Sequence, residues 1–252
     1  IIIEISPNDF GVFEVENNNQ IICTNHFQSE ELKSDKRNIK QIRDSHSKYR
    51  FEKMIELLDK NPKINPVIAA EILRNTKGLN DKEIGFGNEK ALNQLLAHHG
   101  IIFNPKELLV WVSANPYQLG EFVCYDLNQR FNQQNENKAI ISFERNDLSI
   151  AKDPFVNTED YKKYEQFRVE DRKIDEAINK KKVISLNQLI EYQTLNPHFW
   201  LVYYKAGLYF YNNKDFTKAK EQFEKALLYE ITTATSKLQV EKYLKKSIKK
   251  LK

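Results

Sequence analysis

The chain has 252 residues, 40% apolar and 29% charged, a globular composition long enough for one large domain or two small ones. Its 39 basic and 35 acidic side chains leave a surplus of only +4, and no Lys/Arg cluster alternates with aromatics, so nucleic acid is not indicated. No run of about 18 apolar residues exists to span a membrane, and neither GxGxxG nor GxxxxGKS/T is present to cradle phosphate.

Two cysteines, Cys23 and Cys124, cannot make a disulfide framework or a CxxC metal pair. One bridge between them stays open, and with it the redox compartment. The chain begins with Ile1 rather than Met, and Ile1–Ile5 reads as a strand already under way, without the basic start and cleavage site of a signal peptide. The sequence is therefore expected to be a processed product or fragment with part of its fold upstream, and its localisation is unknown. Richness in Asn, Lys and Ile fits an AT-rich bacterial genome.

In chain order, Ile1–Ile5, Gly11–Val15 and Gln20–Thr24 read as short strands, with Pro7-Asn8-Asp9 and Asn17-Asn18-Asn19 as the turns of an antiparallel meander. Ser29 to Ser45 is polar and has no apolar period. From Ser47 a helix is predicted, because Phe51, Met54, Ile55 and Leu58 make one apolar stripe. Asn61-Pro62 ends it. Asn65-Pro66 opens a second helix, Asn as N-cap and Pro at the first position. Leu92, Leu95 and Leu96 suggest a third, from Asn88 to about His98. Strands then return at Gly100–Phe103, Leu108–Ser113 and Glu121–Asp126, with turns at Asn104-Pro105 and Asn115-Pro116. Strands, helices, then strands predict an α+β layered domain over residues 1–150.

Residues 151–252 carry no convincing strand. Helices are predicted at Thr158–Lys181, Ser185–Leu195, Pro197–Tyr211, Asp215–Glu230 and Thr235–Leu251. Charge shifts at the same boundary: residues 1–150 hold 18 basic and 21 acidic side chains, residues 151–252 hold 21 and 14. The terminal lysines Lys242, Lys245, Lys246, Lys249, Lys250 and Lys252 supply much of the excess, as a solvated face or as a contact for an acidic partner or surface. Tyr203, Ala206, Gly207, Phe210, Ala219, Phe223 and Ala226 resemble the spacing of a tetratricopeptide repeat. Small residues would let two antiparallel helices approach, and large ones would fill between them. One clear copy cannot form a peptide groove, so a helical cap on the first domain is the alternative to partner binding.

Chemistry must therefore come from residues 1–150. Ile21-Ile22-Cys23-Thr24-Asn25-His26-Phe27 places a carboxamide and an imidazole at the end of an apolar strand, a rigid mount whose tips reach solvent. Asn25 and His26 are otherwise ordinary turn residues. Cys23 with His26 as its base would need a bent strand, since i and i+3 face opposite ways. Cys124 reads as a buried small hydrophobe. His98 and His99 have no third ligand at suitable spacing, and the carboxylates are scattered. No cofactor and no metal is predicted.

Residues 20–125 resemble the acyl-coenzyme A:6-aminopenicillanic acid acyltransferase family of N-terminal-nucleophile (Ntn) hydrolases. The matching segments are IICTNHFQSEEL (21–32), SHSKYRFEKMIELL (45–58), AAEILRN (69–75), GFGNEKALNQLLAHHGIIF (85–103) and LLVWVS (108–113). The resemblance implies the C-terminal part of a four-layer αββα sandwich, followed here by the tetratricopeptide-like extension at 151–252. It also implies a cysteine nucleophile exposed by autoproteolysis, whose α-amine is its general base and which forms an acyl-enzyme from a linear N-acyl amide. Asn25 matches the oxyanion-binding asparagine. Arg50 matches the arginine of a Ser-Arg-Phe motif, although Lys48-Tyr49 here separates Ser47 from Arg50 and leaves Arg43 as a rival. Thr24 and His26 accompany the motif with no chemical step assigned. The nucleophilic cysteine and an aspartate after it are expected in an upstream segment or a separate chain. The alternative is a non-catalytic scaffold subunit that docks a protein partner through residues 151–252.

Overall fold

The computed structural model describes residues 1–15, 20–128 and 142–252. It is a mixed α and β molecule of the α+β kind, with two small antiparallel sheets and eight α-helices among the described residues. Strands β1 (Ile2–Ile5) and β2 (Phe10–Phe13) form a hairpin, with Ile3 opposite Val12 and Ile5 opposite Phe10. Its turn is closed by Ser6, whose hydroxyl donates to Asp9 O at 3.0 Å and accepts from Asp9 N at 3.0 Å. The predicted turn at Asn17-Asn18-Asn19 lies outside the described residues.

The third strand of the predicted meander does not form. Residues 21–24 alternate exposed and half-buried as a strand would, but among the described residues they belong to neither sheet, and Ile22 O accepts the side-chain amide of Gln28 at 2.8 Å. The polar stretch 29–45 hides a helix, α1 (Lys36–Asp44). Asp35 caps it by accepting from Arg37 N and Asn38 N. Its buried residue is Asn38, whose carboxamide pairs with Phe27 N and Phe27 O, so a polar side chain holds the inner face where an apolar stripe would be sought.

Helices α2 (Ser47–Lys60) and α3 (Pro66–Leu73) form where their signals lie. Asn65 Oδ1 accepts from Ile68 N at 2.9 Å, and Pro66 occupies the first turn. The predicted helix at 88–98 is instead an irregular segment. Gly85 and Gly87 take positive φ near +83° and +82°, and Leu95 reaches φ 51° with its side chain fully buried. Two buried carboxamides organise this loop: Asn88 Nδ2 donates to Ile84 O, and Asn93 Nδ2 donates to Tyr117 O. Three leucines at helical spacing are thus outvoted by side-chain bonds, one local and one to a residue 24 positions away.

Strands β3 (Ile101–Asn104), β4 (Leu109–Ser113) and β5 (Phe122–Asp126) make the second sheet in sequential antiparallel order. Leu109 and Trp111 on β4 turn inward with Phe122 and Cys124 on β5, and Ala70 of α3 completes this small core. The remaining helices are α4 (Glu159–Asn179), α5 (Leu186–Leu195), α6 (Trp200–Asn212), α7 (Phe216–Ala226) and α8 (Ala234–Leu251). Among the described residues, 151–252 carry no strand, as their sequence leads one to expect. The larger core lies among these helices and extends into Leu95 and Leu119 of the preceding region. Among the described residues no helix is long and apolar enough to cross a membrane.

Candidate functional site

Residues Thr24, Asn25 and His26 lie in the loop that α2 packs against. The two residues inserted between Ser47 and Arg50 put Ser47, Arg50 and Phe51 at i, i+3 and i+4, which is one face of a helix. That face meets the loop residue by residue. Arg50 Nη2 donates to Asn25 Oδ1 at 2.6 Å, Ser47 Oγ lies 2.8 Å from His26 Nδ1, and the Phe51 ring meets the His26 ring edge-on at 5.6 Å between centroids. Arg43, the rival cation, instead binds Asp44 through Nε at 2.7 Å and Nη2 at 3.0 Å, and makes no bond to Asn25.

The Arg50 guanidinium carries donors only, so the carboxamide oxygen of Asn25 faces it and the NH₂ group faces away. Among the described residues Nδ2 has no hydrogen-bond partner, and Asn25 is exposed. The second arm of the fork, Nη1, donates to Glu89 O at 3.0 Å. Burial lowers the Arg50 pKa from its usual value, and the nearby Glu89 carboxylate opposes that shift. An arginine remains cationic under both effects.

Around Asn25 the loop is tied on both sides. Thr24 Oγ1 lies 2.9 Å from His26 Nδ1, and Ser47 Oγ donates to Thr24 Oγ1 at 3.1 Å. Burial pulls the His26 pKa below its ordinary value; Glu4 opposes this and Lys48 reinforces it. Just beyond, the Glu4 carboxylate on β1 accepts from Gln28 N and Ser29 N, anchoring the loop to the hairpin. A cavity of about 480 Å³ opens beside the loop, lined by Ile3, Ile5, Cys23, Asn25, His26 and Arg37 among others.

Neither cysteine is arranged as a nucleophile. Cys23 is exposed and its thiol contacts Thr24 O at 3.8 Å; among the described residues it makes no bond to His26, whose Nδ1 is engaged by two hydroxyls. Cys124 is fully buried, and burial raises its pKa. Among the described residues no group of three or more His, Cys, Asp or Glu is placed to hold a metal ion. His99 lies near Ser113 O at 3.4 Å, away from the loop partners. Sequence reasoning named Ser47 only as the serine of the Ser-Arg-Phe motif, with no contact assigned to it, and missed the carbonyl of Glu89, which carries no side-chain signal.

Residues 1–113 match the family model described as acyl-coenzyme A:6-aminopenicillanic acid acyl-transferase. No curated protein and no solved structure matches the chain. The matched residues include Thr24, Asn25, His26, Ser47 and Arg50, and the match supports acyl transfer or hydrolysis at the level of the family.

Proposed function

We propose that this chain is part of a cysteine Ntn amidohydrolase or acyltransferase acting on a linear N-acyl amide bond. The observation that carries the reading is the Asn25 carboxamide, held by Arg50 through its oxygen with its NH₂ turned outward beside an open cavity. Such a donor is fixed before reaction begins, which is what stabilises a developing oxyanion. In the proposed reaction a cysteine thiolate, supplied by a segment or chain outside residues 1–252 after autoproteolysis, attacks the amide carbonyl. Asn25 Nδ2 donates to the oxyanion. The C–N bond breaks, the amine leaves with a proton, and a thioester remains. Water or an acceptor amine then takes the acyl group and restores the thiol. Arg50 orients and polarises Asn25, and its charge favours thiolate nearby.

The hairpin supports the sandwich part of the reading. Ile1, Ile3, Ile5, Phe10 and Val12 are exposed on one face of it, the kind of apolar sheet surface a further sheet layer covers. For residues 151–252 we propose a tetratricopeptide-like cap as a second domain following residues 1–150. The α6–α7 contact supports this, since a Cβ at Gly207 would lie 2.5 Å from the Phe223 ring. The scaffold alternative draws on α8, where Lys242, Lys245, Lys249 and Lys252 recur at heptad-like spacing and form no ion pair among the described residues.

The test is turnover of N-acyl amides by the intact protein, nucleophile segment included. Asn25→Ala is expected to lower kcat by about 10²–10³-fold, the loss typical of an oxyanion donor. Unchanged turnover in that variant would overturn the assignment. No turnover by the wild type, with a residue other than Cys at the nucleophile position, would leave the scaffold reading.

A further inference from the structure

Asn25 is bracketed in sequence by two residues that are both tied to one buried hydroxyl. Ser47 is fully buried at the first position of α2, and its Oγ reaches Thr24 Oγ1 at 3.1 Å and His26 Nδ1 at 2.8 Å. The third side of the triangle, Thr24 Oγ1 to His26 Nδ1, is 2.9 Å. One turn further along α2, Arg50 holds the Asn25 oxygen. The same helix face therefore fixes the backbone on either side of Asn25 and the side chain of Asn25 itself.

We propose that Thr24, His26 and Ser47 are positioning residues that lock the Asn25 carboxamide with its NH₂ presented to the cavity. The catalytic consequence rests on the acyl-transfer reading above; the locking itself does not. Proton accounting shows why three polar groups are needed. The triangle offers two hydroxyl protons and one ring nitrogen. With Nδ1 bare, Ser47 donates to Thr24 and Thr24 donates to Nδ1. With Nδ1 protonated, it donates to Ser47, which again donates to Thr24. Both arrangements keep two hydrogen bonds: the first joins Thr24 to Ser47 and to His26, the second joins Ser47 to Thr24 and to His26. Removing either hydroxyl leaves one of the two bonds in either tautomer, and no longer ties both neighbours of Asn25 to the helix.

The alternative, that the triangle merely satisfies buried polar groups, predicts a change in stability alone. The two accounts separate with Thr24→Val, which deletes the hydroxyl at nearly constant volume, Thr24→Ser, which keeps it, and Ser47→Ala. The measurements are ¹⁵N relaxation of the Asn25 side-chain amide in the labelled intact protein, and kcat and KM on N-acyl-4-nitroanilides. Thr24→Val and Ser47→Ala are expected to leave the Asn25 carboxamide mobile and to lower kcat about 10- to 100-fold, the scale of a misplacement of about 1 Å, with KM nearly unchanged. Thr24→Ser is expected to restore both. An Asn25 amide equally ordered in Thr24→Val, Ser47→Ala and wild type overturns the proposal, whatever the activity. A wild type that orders Asn25 through the triangle but turns over no amide keeps the positioning and removes the acyl-transfer reading.

Discussion

At the residue scale, the arginine fork explains why one side chain can organise a site made from three parts of the chain. Arg50 reaches a loop carboxamide 25 residues away and a backbone carbonyl 39 residues away at once, which a lysine ammonium on a flexible stem would do without the planar fork. Gly207 illustrates a constraint of the opposite kind. A methyl there would meet Phe223 Cε1 at 2.5 Å and Cδ1 at 2.7 Å in a fully buried contact. Gly207→Ala gains up to about 1 kcal/mol of helix propensity but overpacks the core, at a cost of about 1–3 kcal/mol. A net loss of up to about 2 kcal/mol is expected in urea unfolding. A more stable variant would show that α6 and α7 separate freely.

At the element scale, α2 is held to the loop at 79–81 by charge rather than by apolar burial. Lys53 is fully buried and donates to Glu56 Oε1 at 3.0 Å and Asp81 Oδ1 at 2.9 Å; Lys60 binds the same two carboxylates at 2.8 Å each. Hydrogen bonding from Lys60 lowers the Glu56 pKa to about 2 and, with Lys53, the Asp81 pKa to about 2. Both folded values lie below the ordinary 4.5 and 3.8, so this contribution to stability is fully present above about pH 4.5 and is lost as pH falls towards 2. Asp81 is more than half exposed, so solvent screens much of its share. Denaturant midpoints are expected to fall across that window, and to fall less steeply in Lys53→Met. Equal slopes for the two proteins would remove the cluster from the acid response.

At the scale of the whole molecule, the region before residue 150 and the helices after it are joined by polar bonds, most of them partly buried. Arg74 donates to Gln118 O, Gly120 O and Ala151 O, at 3.2, 2.7 and 2.9 Å, with its guanidinium also 5.1 Å from the Phe122 ring centroid. The Asn196 carboxamide pairs with Phe86 N and O, and Glu230 receives Lys82, Lys90 and, through its carbonyl, Asn88. Separating the halves would break these bonds together, each contributing about 0.5–1.5 kcal/mol net. Unfolding is therefore expected in one cooperative step. The two tryptophans report on it independently: Trp111 sits in the second sheet, and Trp200 begins α6. Single-tryptophan variants, Trp111→Phe and Trp200→Phe, should each show fluorescence midpoints coincident with far-UV circular dichroism. Midpoints that part company would mark two independently folding units.

The segment containing Glu89 and Asn88 links these scales. Its backbone receives Arg50 on one side, and its neighbours Asn88 and Lys90 grip Glu230 on the other. The helical region thus lies one residue from the site's supporting contact. Sequence periodicity misread this segment as a helix because Leu92, Leu95 and Leu96 carry the spacing, while the deciding bonds come from Asn88 and Asn93.

What the amino-acid order determined by itself is local. Caps at Asn65, Thr158, Ser185 and Asp215, and apolar periods along α2 and α4 to α8, specify helices through interactions within a few residues, and they form where those signals lie. The Thr24-Asn25-His26 segment was legible as a candidate by its residue types and by resemblance. Only the tertiary structure decided that residues 21–24 belong to neither sheet, that a buried asparagine can hold α1 in place, and that Arg50 rather than Arg43 grips Asn25. Those outcomes depend on hydrogen bonds between residues far apart in sequence, whose energy is gained only after the chain has closed the loop between them.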